Sequence, residues 1–395
     1  MIQLMTISLA RGLTVTRMIP ARACPNRRLT RRLVAVPYRR VMASTRVLTR
    51  RELNRALLQR QLLLERQSLT AAKAVERLGG LQAQWTPSPY LSLWARLEGF
   101  ELDELTRALQ SRRLVKALLQ RGTLHIVTPG DYWAVSAARR ELGGVLWPPS
   151  YEALVPKARL AELAQLVLVE LEAGERTFKE IRALLEPHAE GVATPTFLWR
   201  RVQGQASVVH VPPSGIWGYG GHGVYASAAG TLKGEPPPAR DAFDHLVRRY
   251  LGAYGPATKQ DIAQWAGVPR LKPIVESLER LSVRMFADER GRMLYDLPRA
   301  PLPDPETPAP VRLVPRFDNL VLSHADRSRI LGDLPPSRIV TNNGLVHATM
   351  LVDGFVAGTW QLQRGRVVLE PFAPLDAEAK RALKDEAQRL EALVV

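Results

Sequence analysis

Three times along this sequence, helix-forming stretches are followed by two alternating apolar segments that can fold back on each other. That recurrence limits the folds open to the chain. In the first instance, 53–64 and 69–78 carry apolar residues at helical spacing, and Gly79-Gly80 stops the second. Ser88 before Pro89 reads as a helix cap, and 103–111 as a further helix. LVKALLQRGTLHIVT then alternates around Gln120-Arg121-Gly122 as a hairpin. Thr128 and Asp131 open the next helix as a capping box. The second instance runs through 159–172, a capping box at Thr177 and Glu180, the short helix PTFLWRRVQ, and strands in ASVVHVP and GIWGYGGHGVYA. The third runs through 242–254, a capping box at Thr258 and Asp261, a helix over 271–281, and a hairpin turning at 288–292.

A three-helix core buries its apolar stripes internally, and a hairpin covers the open edge. This is the winged-helix order, which offers one helix to a DNA groove and one hairpin to phosphates or the neighbouring groove. The fold class read from it is α+β, with winged-helix units at 45–150 (which contains a Gln-x-Gln), 151–235 and 236–299. Residues 300–310 hold five Pro and read as a linker. The module at 311–395 is β-rich: a strand, a meander turning at Asp353-Gly354 and Arg364-Gly365, and a charged amphipathic helix over 375–393.

The 395 residues include 55 Lys and Arg against 38 Asp and Glu, a net charge of +17. Such a balance favours a polyanionic partner, usually nucleic acid. Nine arginines fall in the first 45 residues, which contain no Lys, Asp or Glu; the remainder is moderately basic. Residues 1–44 read as a disordered or non-native basic extension, with Met42 favoured as the start over a transit peptide. The single cysteine, Cys24, excludes an intrachain disulfide and points to a reducing compartment, the cytoplasm, with the nucleoid as the place of work. Seven scattered His form neither HExxH nor HxH, so no metal and no cofactor are expected. The longest stretch free of charged residues, 202–232, is broken by Pro212, Pro213 and several Gly. A membrane span needs about 20 mostly apolar residues, so no membrane association is expected.

Chemistry centres on GGLQAQWTPSPY. In an extended segment, residues i and i+2 share a side, so Gln82 and Gln84 can converge. Two carboxamides each donate and accept hydrogen bonds and can orient one water between them. The same pair can equally do no more than tie down loop backbone.

LQAQWTPSPYLSLWARL, LVKALLQRGTLHIVTPGDYW, GPATKQDIAQWAGV and VPRFDNLVLSHADRSRIL span most of 46–395 between them. On these stretches the chain resembles the winged-helix DNA-binding family that includes the AlkZ-like and YcaQ-like bacterial DNA glycosylases. The resemblance implies three tandem winged helices in a C-shape with a C-terminal β-rich element. It also implies a catalytic Gln-x-Gln in the AlkZ-like branch, matched here by Gln82-Ala83-Gln84. The YcaQ-like branch has an acid at the second position, so Gln84 resembles the AlkZ-like branch. Residues 1–44 match nothing in the family.

The implied activity is that of a monofunctional DNA glycosylase, acting as a monomer on double-stranded DNA that carries N7-alkylated purines, bulky adducts or interstrand crosslinks. Two glutamines suit it. Alkylation at N7 makes the base a cationic leaving group, so no general acid is required. What remains is to place a water and to stabilise an oxocarbenium-like sugar with amide dipoles. The alternative is a non-catalytic winged-helix regulator, since fold does not fix function.

Candidate DNA contacts are Arg121 in the first hairpin, Arg200 and Arg201 on PTFLWRRVQ, and Arg316, His324, Arg327 and Arg329 in the polar stretch after the linker. Asp318 is read as a partner of Arg316, or as a reserve carboxylate. Trp85, Trp94, Trp265 and His125 are read as packing residues.

Overall fold

The computed structural model describes residues 45–142, 153–191 and 193–394. The basic extension and Met42 lie outside the described residues. From Arg46 onward the chain forms one compact unit.

Strand β1 (Val47–Leu48) leads into helix α1 (Arg50–Arg60), which Thr49 and Glu52 start with a reciprocal capping box. Helix α2 (Ala71–Arg77) ends at Gly79 and Gly80, with φ of +72° and +92°, and β2 (Leu81–Gln82) follows. Helices α3 (Pro87–Trp94) and α4 (Leu102–Gln110) precede the hairpin β3 (Val115–Leu118) and β4 (Leu124–Val127), and α5 (Pro129–Glu141) follows it. The second group is α6 (Lys157–Glu172), β5 (Arg176–Thr177), α7 (Phe178–Leu185), α8 (Pro195–Gln203), β6 (Val208–His210) and β7 (Val224–Ser227). The third is α9 (Ala239–Tyr254), α10 (Lys259–Ala266), α11 (Lys272–Arg280), β8 (Arg284–Asp288) and β9 (Met293–Asp296). Strands β10 (Arg312–Val314), β11 (Thr349–Val352), β12 (Phe355–Gln363) and β13 (Arg366–Pro371) and helix α12 (Ala377–Val394) complete the chain.

The mixed helix-and-sheet class expected from the patterning is observed. Two local expectations are displaced. Helix α3 begins at Pro87, before Ser88, and the Ser88 hydroxyl donates to the carbonyl of Arg316 at 2.5 Å instead of capping. The glycine-rich stretch after Val211 is mostly irregular, and the expected strand contracts to β7. The hairpins also do not stay separate. β2, β4, β3, β6, β7 and β5 form one six-stranded antiparallel sheet, joined where Lys116 of β3 faces His210 of β6. Strands β8 and β9 carry β1 at their edge, parallel to β8. Strands β10 to β13 form a four-stranded antiparallel meander, with left-handed turns at Asp353-Gly354 and Arg364-Gly365.

The main core unites α1 to α4, α9 to α11 and the meander around Tyr250, Tyr254 and Trp265. A second core lies among α6, α7 and α8, and a third beneath α5. The Pro-rich segment crosses this body as a strap, because Arg60 donates to the carbonyl of Pro301 and Arg55 to that of Thr307.

Ion pairs tie the meander to the helices. Arg96, after α3, makes a two-pronged pair with Asp318 at 2.9 Å on each arm, and both side chains are buried. Asp318 also accepts from Ser92. The expected pairing of Asp318 with Arg316 is therefore replaced: the carboxylate turns inward to a buried guanidinium, and Arg316 stays outside. Removing one member of a buried pair strands the other charge, at a cost of about 3–5 kcal/mol. Asp318→Ala is expected to lose that much in urea unfolding, whereas Arg316→Ala is expected to change stability by less than about 0.5 kcal/mol.

Candidate active site

The Gln-x-Gln segment is held by three neighbours. Gly79 and Gly80 turn the chain out of α2, and a side chain on Gly80 would meet Val127 Cγ1 at 2.8 Å. That close approach seats β2 against β4, with Leu81 opposite Ile126 and Gln82 opposite His125. The Ala83 amide continues the ladder to the carbonyl of Leu124 at 2.7 Å. Residues directly opposite in an antiparallel pair share a face, so Gln82 and His125 lie on the same side of the sheet.

Gln82 is buried, with 6% of its surface exposed, and Gln84 is exposed. The side-chain Oε1 of Gln82 accepts from Arg121 Nη2 at 2.9 Å. The same nitrogen donates to Asn319 Oδ1 at 2.9 Å, and Arg121 Nη1 donates to the carbonyl of Trp265 at 3.1 Å. Asn319 in turn donates to the carbonyl of Gly80 at 3.2 Å. Arg121 thus clamps Gln82 to the meander module and to α10. With its oxygen engaged, Gln82 has its amide protons left to offer. The side-chain Oε1 of Gln84 lies 3.4 Å from the Leu124 main-chain amide, a long and weak contact.

Arg121 sits at φ +56° in the β3–β4 turn, which packs against α10. Gly267 ends α10 in the left-handed region at φ +70°, and a side chain there would lie 2.8 Å from the Arg121 nitrogen. The tip of the first hairpin is therefore docked inside the molecule. Burial lowers the pKa of Arg121 to about 10, still well above neutrality. His125 is fully buried, as its alternation with apolar residues suggested. Burial first, and the charge of Arg121 second, push its pKa down to about 3. Its Nδ1 lies 3.1 Å from the Thr123 carbonyl, which assigns the single proton of the neutral ring to Nδ1.

The other expected DNA contacts divide by burial. Arg200 and Arg316 are exposed, and Arg316 lies over the half-buried Trp85 ring at 5.6 Å, beside Gln84. Arg121 and Arg327 are half-buried. Arg201, His324 and Arg329 are interior. His324 lies 3.1 Å from the carbonyl of Tyr254, and Arg329 donates to the carbonyl of Pro256 at 2.8 Å. Both are buried and held by those carbonyls, so they close the chain after the 3-10 turn at Asn319–Val321 onto α9 and α10. Trp94 and Trp265 are core residues. Asn319, which reaches the site, escaped the sequence reading. Its signal in the sequence is the RFDN stretch, where it directly follows Asp318.

The chain matches the family described as DNA glycosylase AlkZ-like over residues 75–393, and it belongs to that family. Among its relatives, the interstrand DNA cross-link repair glycosylase of Streptomyces sahachiroi is 24% identical over 349 residues, covering 84% of this chain and 92% of the relative. The solved structure of Streptomyces sahachiroi DNA glycosylase AlkZ has the same fold, with a TM-score of 0.75 at 22% identity, over 88% of this chain and 98% of that one.

The neutral state of His125 has a consequence for stability. Its folded pKa lies below the unfolded value of about 6.5, so the unfolded chain takes up the proton first as pH falls. Stability is therefore lost as pH drops from about 6.5 toward about 3. Between pH 7 and pH 5.5, His125→Asn is expected to show a smaller fall in unfolding free energy than the parent protein, by about 1 kcal/mol, as measured by urea melts at the two pH values.

Proposed function

We propose that this protein is a DNA glycosylase that hydrolyses the N-glycosidic bond of N7-alkylated purines in duplex DNA, including adducts that bridge the two strands. The observation that carries the reading is the Gln82–Ala83–Gln84 segment, whose first amide is fixed by Arg121 and whose second is open to solvent. Family membership supports the class of reaction, and the cross-link repair activity of the Streptomyces relative supports crosslinks as substrates.

Gln82 donates its amide protons toward the reacting water, and the exposed Gln84, two residues on, completes the pair. A cationic N7-alkylated base leaves without protonation, so positioned amides suffice and no general acid is needed. The reading treats the three helix-and-hairpin groups as winged helices, with the duplex against the face that carries Gln84 and Arg316. Arg200 adds a phosphate contact. Arg316, stacked on Trp85, is placed to meet the sugar–phosphate backbone beside the lesion. The enzyme works as a monomer and needs no cofactor.

Gln82→Ala and Gln84→Ala are each expected to slow release of free base from N7-methylguanine duplex by about 10²-fold or more under single-turnover conditions. Free base and abasic sites are quantified directly, with binding to the same duplex measured in parallel. If the double variant frees base at the parental rate, the glutamine mechanism is wrong; DNA binding without base release by the parent protein would leave the regulator reading.

A further inference from the structure

A cavity of about 460 Å³ opens between the tip of the β3–β4 hairpin and α10. Arg121 and Gly122 form one wall, Gln260, Gln264 and Gly267 the opposite wall, and Arg139 of α5 adds a second guanidinium. No carboxylate is among its lining residues.

The charges there are unbalanced. The three hydrogen bonds of Arg121 go to Gln82, Asn319 and the Trp265 carbonyl, all uncharged oxygens. Arg139 Nη1 donates to the carbonyl of Leu118, again neutral, and its Nη2 is buried without an acceptor among the described residues. Burial lowers the pKa of both guanidiniums to about 10, and the charge of Arg327 contributes at Arg121. Three buried arginines, by contrast, each face a carboxylate: Arg60 that of Asp296, Arg66 that of Glu386 and Arg96 that of Asp318. A buried cation without a counter-charge is costly unless a ligand supplies one.

We propose that this cavity is a phosphodiester site, in which Arg121 and Arg139 hold one backbone phosphate of the bound duplex. The proposal deepens the glycosylase reading and rests on DNA being the substrate. Guanidinium groups suit a phosphate because their donors match its oxygens. Gln260 and Gln264, one helical turn apart on α10, line the mouth with neutral donors. The site lies one side chain from Gln82, because Arg121 touches both. The phosphate therefore supplies the counter-charge that Arg121 lacks beside the reaction centre, and it favours a positive sugar there. Docking of the hairpin tip on Gly267 is what forms the cavity.

The test compares the full-length parent with Arg139→Gln and with Gln264→Glu. Gln264 is an exposed helix position, so its variant is expected to fold even if loss of Arg139 disturbs the Leu118 contact. Binding to an undamaged duplex is followed by fluorescence anisotropy between about 50 and 200 mM salt. Arg139→Gln should bind roughly tenfold more weakly and lower the slope of log K against log salt by about 1, the signature of one lost phosphate contact. Gln264→Glu should weaken binding by a comparable factor. Parental affinity and slope in folded Arg139→Gln, with Gln264→Glu also unchanged, would overturn the proposal. A thermal shift by inorganic phosphate that Arg139→Gln abolishes, with no change in the duplex slope, identifies a free-phosphate site and overturns it too. Because undamaged duplex is the probe, the result is independent of base release. A protein that frees no base but shows the slope change keeps this site and loses the glycosylase reading; one that frees base with an unchanged slope does the reverse.

Discussion

The two-pronged ion pair between Arg96 and Asp318 is the contact on which the candidate site depends. It joins the end of α3 to the segment that leaves β10, and it does so out of contact with water. Phe317, at φ +58°, turns the backbone so that Asp318 enters the interior while Arg316 stays outside over Trp85. Asn319 follows and reaches both Arg121 and the carbonyl of Gly80. One anchored aspartate therefore sets two neighbours on either side of the glutamine segment. Without it, the segment that leaves β10 would lose its buried anchor on the first helical group, and Asn319 its fixed place in the clamp on Gln82.

Local rules were readable in the sequence and long-range ones were not. The capping boxes at Thr177–Glu180 and Thr258–Asp261 are formed as expected, because their donors and acceptors lie three residues apart. The meander turns at Asp353-Gly354 and Arg364-Gly365 are formed for the same reason, since a left-handed pair of residues dictates them. Ser88 shows the limit. Its pattern fits a cap, but a carbonyl 228 residues away competes for the hydroxyl and wins. His324 sits in a polar, arginine-rich stretch, and only the packing of that stretch against Tyr250 and Tyr254 takes it into the interior. The glutamine pair was legible as a motif; its attachment to Arg121 was not, because the hairpin tip must first meet α10.

The basic composition invites a reading in which arginines meet DNA. In this fold many of them are structural. Arg55, Arg60, Arg66, Arg96 and Arg329 are buried and bond to carbonyls or carboxylates of distant segments. A guanidinium spans several acceptors at fixed angles, which suits it to joining loops that lack a common sheet or helix. The net charge of +17 thus overstates the positive surface, and the arginines that matter for a polyanion are those whose partners are neutral or absent from the interior.

The sheet shared by the first two helical groups has a mechanical consequence. Strand β3 belongs to the first group and β6 to the second, yet they lie side by side in one antiparallel array. Swinging one group away from the other would tear open that seam and expose main-chain amides and carbonyls to no partner but water. A ligand that touches both groups therefore meets two units joined through one sheet at Lys116 and His210. Under the proposed function, a duplex that spans the joint would bend or unstack more cheaply where its sequence or lesion already softens it.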